Sequence, residues 1–124
     1  MKTSSAKAKG RRLQQTVAEL LRSFLNLSEQ DIKSTPMGTQ GVDVWMSNEA
    51  LRQLPLSIEC KNVEKIQIWK AIEQAETNAV PGTIPVVVFC KNNASPQIVV
   101  PLLDFLALVR KNGTKVCDSQ VIKD

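Results

Sequence analysis

The sequence predicts an α/β domain in which a mixed sheet of four to five strands is flanked by helices. Three observations carry this. Apolar residues recur at helical spacing near both ends and in the middle of the chain. Between these stretches lie short runs with strand character, and the order reads helix, strand, strand, helix, strand, strand, helix. At 124 residues the chain has the length of one domain, with room for a single core.

The elements follow in turn. Leu13, Val17, Leu20, Leu21 and Phe24 form the stripe of an amphipathic helix over about residues 9 to 26. Ser28 to Asp31 reads as a helix end and turn, and Ser34 to Gly41 as a loop rich in Gly, Pro and hydroxyls. Val42 to Met46 has strand character, and Ser47-Asn48-Glu49 caps a short helix through Leu54. Leu56 to Lys61 is the next strand. Its period of two places Leu56, Ile58 and Cys60 on one face and Ser57, Glu59 and Lys61 on the other. A second main helix spans about 65 to 79, with Ile68, Ala71, Ile72, Ala75 and Ala79 on one side, and Pro81-Gly82 ends it. The continuously apolar Pro85 to Cys90 is expected of a strand covered on both faces. Lys91 to Ser95 turns the chain into a partner strand over Gln97 to Val100. Pro101 opens the last helix, whose stripe is Leu102, Phe105, Leu106 and Val109. The tail from about 113 to 124 is expected to be loosely held.

The net charge of +4 is unevenly placed. Lys2, Lys7, Lys9, Arg11 and Arg12 precede any acidic residue, and the remainder carries 11 basic against 12 acidic residues. This basic opening, with an arm over about residues 1 to 9, is either a solvated end or a grip on a polyanion such as DNA. Cys60, Cys90 and Cys117 are odd in number and widely spaced, so they suggest neither a disulfide framework nor a thiolate zinc site. No apolar run approaches the roughly 20 residues of a membrane span, and the opening lacks the apolar core of a secretory signal. A soluble protein of the reducing cytoplasm is expected, without a membrane partner. The chain has no histidine and no tyrosine, which excludes His-dependent triads, His-metal nucleases and tyrosine recombinase chemistry.

What is left for hydrolysis is carboxylates, lysine, hydroxyls or a thiol with a hard metal ion. Asp43, Glu59 and Lys61 supply such a set. The two acids bind Mg²⁺ through oxygen, and Lys61 orients a water or offsets charge on a phosphorane. A charge pair on a solvated sheet face is the alternative reading of Glu59 and Lys61. Cys60 faces the core, away from any nucleophilic role. Ser34 and Thr35 are candidate phosphate contacts beside the acids.

Lys9-Gly10, Gly41-Val42-Asp43-Val44, Ile58-Glu59-Cys60-Lys61 and Glu73-Gln74-Ala75-Glu76 together resemble the PD-(D/E)XK nuclease superfamily, and within it phage-type endonucleases and archaeal Holliday-junction resolvases. The resemblance implies a restriction-endonuclease-like fold, Mg²⁺-dependent hydrolysis with Mn²⁺ able to substitute, and often a homodimer. It implies DNA as partner, branched, single-stranded or duplex, and the host cytoplasm as the place of action if the chain is phage-encoded. It also implies the Cys60 carbonyl as a further metal ligand, and Gln74 as the motif glutamine that positions Lys61 or a phosphate. Lys9, Arg11 and Arg12 would hold the DNA backbone.

One departure concerns the first helix, where related resolvases carry a metal-site glutamate and this chain has Gln14 and Gln15. At about 100° per residue from Leu13, the stripe ends near 80°, Gln14 falls near 100° and Glu19 near 240°. Gln14 is therefore the preferred site residue of that helix, and Glu19 is surface. A neutral residue there weakens metal affinity, so a non-catalytic nucleic-acid-binding protein with a degenerate nuclease fold is the alternative function.

Overall fold

The computed structural model describes the backbone of residues 2–119 and the side chains of residues 5–111. Helix α1 (Lys2–Leu25) is followed by strands β1 (Ile32–Ser34) and β2 (Val44–Met46), helix α2 (Asn48–Gln53), strand β3 (Leu56–Asn62) and helix α3 (Ile68–Asn78). Strands β4 (Ile84–Cys90) and β5 (Gln97–Val99) and helix α4 (Leu102–Ser119) complete the chain. The five strands form one mixed sheet in the order β1-β2-β3-β4-β5. Only β3 and β4 run parallel, from Leu56↔Ile84 to Asn62↔Cys90, because α3 carries the chain back between them; the other pairs are antiparallel.

Helices cover both faces of the two central strands. Leu13, Val17 and Ala18 of α1 pack with Ile32, Val44, Ile58, Cys60, Val86 and Val88. Ala71 and Ala75 of α3 pack on Val87 from the opposite side. Small residues on α3 let that helix lie close to the sheet, and the apolar run of β4 is buried because each of its faces has a helix over it.

Several boundaries differ from those expected. α1 begins at Lys2, so the basic opening is wound into the helix instead of preceding it. Apolar periodicity is silent over a stretch with no large apolar residue, whereas nothing before Gly10 opposes helix formation. At Gly10 a Cβ would stand 3.3 Å from Cε of Met37 in the following loop, a close contact with the end of a flexible side chain. The helix ends at Asn26, whose φ of +58° turns the chain so that the Leu27 N–H donates to the Arg22 carbonyl at 3.0 Å.

The turn expected after the helix leads directly into β1, which has one large apolar residue and is too short to show alternation. Ser47 caps α2 as expected, its hydroxyl accepting from the Ala50 N–H and donating to Asp31 at 2.7 Å. At the far end, α4 continues through Gly113 to Ser119, so the expected loose tail is helical to that point. Residues 120–124 of that tail lie outside the described residues. The expected stripe of α1 is buried at Leu13 and Val17 but exposed at Leu20 and Phe24, and that of α4 faces outward throughout. Leu102, Phe105, Leu106 and Val109 are exposed, and Leu108 is the large apolar side chain that leans on the core.

Candidate active site

The site forms where β2 and β3 part. Their ladder consists of Val44↔Ile58, and the Asp43 N–H donates to the Ile58 carbonyl at 2.9 Å. The next donor along β3, the Cys60 N–H, meets no β2 carbonyl. It donates instead to Oδ2 of Asp43 at 2.8 Å, so a side chain replaces the missing ladder bond. Two features turn the backbone away at this point. Gly41 has φ of +100°, in the region that favours glycine. The Thr35 hydroxyl then shares its proton between the carbonyls of Val42 at 3.0 Å and Asp43 at 3.2 Å, while the Thr35 N–H holds the Asp43 carbonyl at 3.0 Å. Asp43 thus precedes the strand instead of lying within it. Its carboxylate is held against β3 from both ends of the residue.

Glu59 is 4% exposed, and its Oε1 is buried without a hydrogen-bond partner. Oε2 lies 3.7 Å from Nζ of Lys61, whose side chain is 31% exposed. The alternation expected of β3 therefore does bring Glu59 and Lys61 together. Burial pushes the Glu59 carboxyl above its ordinary range, and the charge of Asp43 pushes it further; Lys61 and the side chain of Asn78 pull the other way. Burial also raises Asp43, against the Cys60 N–H and Lys61, which favour its ionised form. Two carboxyls both held above their ordinary range by burial, the charge of one raising the other, with Lys61 beside them, form an electron-rich site short of positive charge.

The backbone of Cys60 adds a third oxygen. In a strand, the N–H and C=O of one residue point to the same side, so the Cys60 carbonyl faces the Asp43 edge, beyond the end of β2 pairing. Its thiol points into the core, where burial first, and then Asp43 and Glu59, push it far above the thiol range; it is no nucleophile. Two carboxylates and a carbonyl are an oxygen-only donor set of the kind that hard cations take, and the orphaned Glu59 Oε1 is an acceptor without a donor. The residues present therefore suit Mg²⁺ or Mn²⁺. No group of three or more His, Cys, Asp or Glu side chains gathers to hold a metal among the described residues, so the donor set depends on the carbonyl or on neutral side chains.

Gln14 is 5% exposed, deeper than the helix-border position expected for it, and its Oε1 is buried without a partner. α1 holds it with Leu13, Val17 and Ala18 on the helix's buried side. Glu19 is exposed, as expected. Asn62 at the end of β3 repeats the pattern, with Nδ2 donating to the Lys9 carbonyl at 3.4 Å and a buried Oδ1 left over. Gln74 is exposed on α3. The side chain that reaches Glu59 from that helix is Asn78, one turn further on. The spacing from Gln74 to Asn78 was the available signal, because residues four apart share a helix face.

Arg11 and Arg12 are exposed on α1, and Lys9 is half-buried with its carbonyl engaged by Asn62. Ser34 and Thr35 are half-buried, and the hydroxyl of Thr35 is committed to the Val42 and Asp43 carbonyls, which makes it a positioning group for Asp43. Trp45 is 41% exposed with the Lys33 ammonium 5.2 Å from its ring centroid, a pairing that ties β1 to β2. No helix among the described residues is long and apolar enough to cross a membrane. Comparison of the chain with protein-family models, with characterised proteins and with solved structures gave no match.

Proposed function

We propose that this chain is a divalent-metal-dependent DNA endonuclease of the PD-(D/E)XK type, with a restriction-endonuclease-like arrangement of its sheet and helices. The observation that carries the reading is the convergence of Asp43, Glu59 and Lys61 where β2 leaves β3, with one oxygen of Glu59 buried and unpartnered. A merely structural ion pair on β3 would not require a second, half-buried acid whose charge opposes the first.

Asp43, Glu59 and the Cys60 carbonyl would hold Mg²⁺ or Mn²⁺. Such an ion, when bound, polarises a phosphodiester and acidifies water. Lys61, partly exposed beside Glu59, would offset negative charge growing on the phosphorane. The Cys60 N–H orients Asp43 and favours its ionised form against burial, and the Asn78 side chain favours that of Glu59. Arg11 and Arg12 on the exposed side of α1 would bind phosphates, with an affinity that falls as salt rises. Branched or single-stranded recombination and replication intermediates are the proposed substrates, and the cytoplasm the proposed place of action.

The test is purified protein on single-stranded, duplex, flap and four-way-junction DNA, with Mg²⁺ or Mn²⁺ against chelator. Metal-dependent cleavage leaving a 5′-phosphate is expected, and undiminished activity in Asp43→Ala or Lys61→Ala would sink the assignment. A second reading, a nucleic-acid-binding protein without catalysis, draws on the neutral Gln14 at the buried helix position. Salt-dependent DNA binding with no heat of Mn²⁺ binding in calorimetry would favour it.

A further inference from the structure

The face of the sheet that carries Glu59 is open on one side of the site. Val44 and Ile58, which pair, both lie in the core beneath α1, so alternation turns Trp45 of β2, and Ser57 and Glu59 of β3, to the other face. α3 covers that face over Val87 of β4 and ends at Asn78. Beyond it, over β2 and the edge of β3, lies a groove of about 450 Å³, within the roughly 300–1,000 Å³ of small-ligand sites. Trp45 and Val80 line this groove and are 41% and 42% exposed. Continued one residue each way, the register of Val44 with Ile58 sets Trp45 beside Ser57 and Asp43 beside Glu59. The groove therefore begins two residues along the strand from the acids, about 7 Å.

We infer that this groove takes one unpaired base of a DNA strand whose neighbouring phosphate lies at Asp43 and Glu59, the base stacking on Trp45. The inference rests on the nuclease reading and names what such a site selects, a strand with a base outside the duplex. The sheet holds the ring ready. Strand order puts β1 on one side of Trp45 and β3 on the other, so the exposed Lys33, its ammonium 5.2 Å from the ring centroid, approaches from the side away from β3. It steadies the indole and sets a positive charge beside the groove, whose own lining includes no acid, and both suit a nucleotide. The lining has little with which to tell one base from another. The Ser57 hydroxyl is engaged by Thr83 and the Val80 N–H, and the Ser47 hydroxyl by Asp31 and the Ala50 N–H. Every base has a face to stack, whereas a base paired within a duplex must first leave its stack to enter.

Indole fluorescence reads the contact directly. The chain has two tryptophans, and Trp69→Phe, at a position 79% exposed, leaves Trp45 as the sole indole. In chelator, where no cleavage occurs, oligothymidylate and oligoadenylate should both quench its emission. An abasic strand with the same phosphates, and a blunt duplex, should bind without quenching. In the wild-type background, Trp45→Ala should weaken single-strand affinity about 5- to 100-fold at fixed salt and leave duplex affinity unchanged. Trp45→Phe, which keeps a ring, should recover most of that loss. Quenching by single strands without any cleavage in Mg²⁺ supports the groove even as the nuclease reading falls. Cleavage without quenching, equal quenching by duplex, or undiminished single-strand affinity in Trp45→Ala overturns the groove and leaves the nuclease reading standing. Silence toward every oligonucleotide, the outcome if the groove instead takes an apolar side chain of a protein, overturns it as well.

Discussion

Replacing Glu59 with glutamine separates the electrostatics of the site from its role in the fold. Glu59 is buried with one oxygen unpartnered, and the Lys61 ammonium stands 3.7 Å away at a partly exposed position. A buried polar group without its partner costs about 1–3 kcal/mol, and more when charged. Lys61 and Asn78 return part of this, which leaves a net penalty of about 1–2 kcal/mol for the ionised form at neutral pH. Glutamine keeps the shape and removes the charge, so Glu59→Gln should be more stable than the wild type in chelator at pH 7. For a domain of this size the gain corresponds to a rise in Tm of about 4–8 °C or somewhat more.

The pH dependence has a definite sign. The pKa of Glu59 is raised in the folded state above the ordinary 4.5, so the native protein holds this proton more tightly than the unfolded chain. The associated stability is fully present below that ordinary value and is lost as pH rises through the native value. The advantage of glutamine should therefore vanish near pH 4 and grow toward neutrality. Saturating Mn²⁺ should invert the order, because an ion at a hundred times its Kd stabilises only the wild type, by about 2.7 kcal/mol. Calorimetric melts of both proteins at the two pH values, with and without Mn²⁺, decide the matter. A variant less stable than the wild type in chelator at pH 7, or a gain that persists unchanged at pH 4, would refute the reasoning.

Three further substitutions probe how Asp43 and Glu59 are positioned. Thr35→Val removes the hydroxyl that donates to the Val42 and Asp43 carbonyls; a loss of about 1–2 kcal/mol in urea unfolding is expected, with kcat falling more than KM changes. Gly41→Ala meets nothing within 4 Å, so its cost is that of φ +100° alone, about 1–2 kcal/mol by the same unfolding measurement. Asn78→Asp sets another acid beside Glu59 and should raise its proton affinity further. The acid limb of the metal-dependent pH–rate profile should then move to higher pH, and an unmoved limb would show that Asn78 does not act through Glu59.

The parts of this molecule that were legible in the sequence are those set by local chemistry. Strand alternation alone put Glu59 and Lys61 on one side and the Cys60 thiol in the core, because a pleated strand allows no other outcome once its register is fixed. The apolar run at Val86 to Val88 and the serine cap of α2 were equally plain. β1 was not legible, because three residues with one large apolar side chain carry no period, and its existence depends on pairing with β2. The choice of Asn78 over Gln74 was hidden for a related reason: both lie on the same side of α3, and only the distance along the helix to Glu59 decides between them. The outward stripe of α4 was invisible in kind, since periodicity reports that a helix has an apolar face and not what covers it.

What the sequence could least show is that the site arises from a break in pairing. Had β2 continued alongside β3, the Cys60 N–H would have met a backbone carbonyl and the Asp43 carboxylate would have had no donor to hold it. The Cys60 carbonyl, on the same edge, would have been consumed by the ladder as well. Gly41 and Thr35 turn the strand away one residue earlier, and that single departure fixes the acid, gives it a donor that favours its ionised form and leaves the carbonyl facing it. The acid and carbonyl positions are therefore not grafted onto the sheet independently of one another. A change that restored the ladder at Val42 would be expected to remove both together, with no alteration of Asp43, Glu59 or Lys61 themselves.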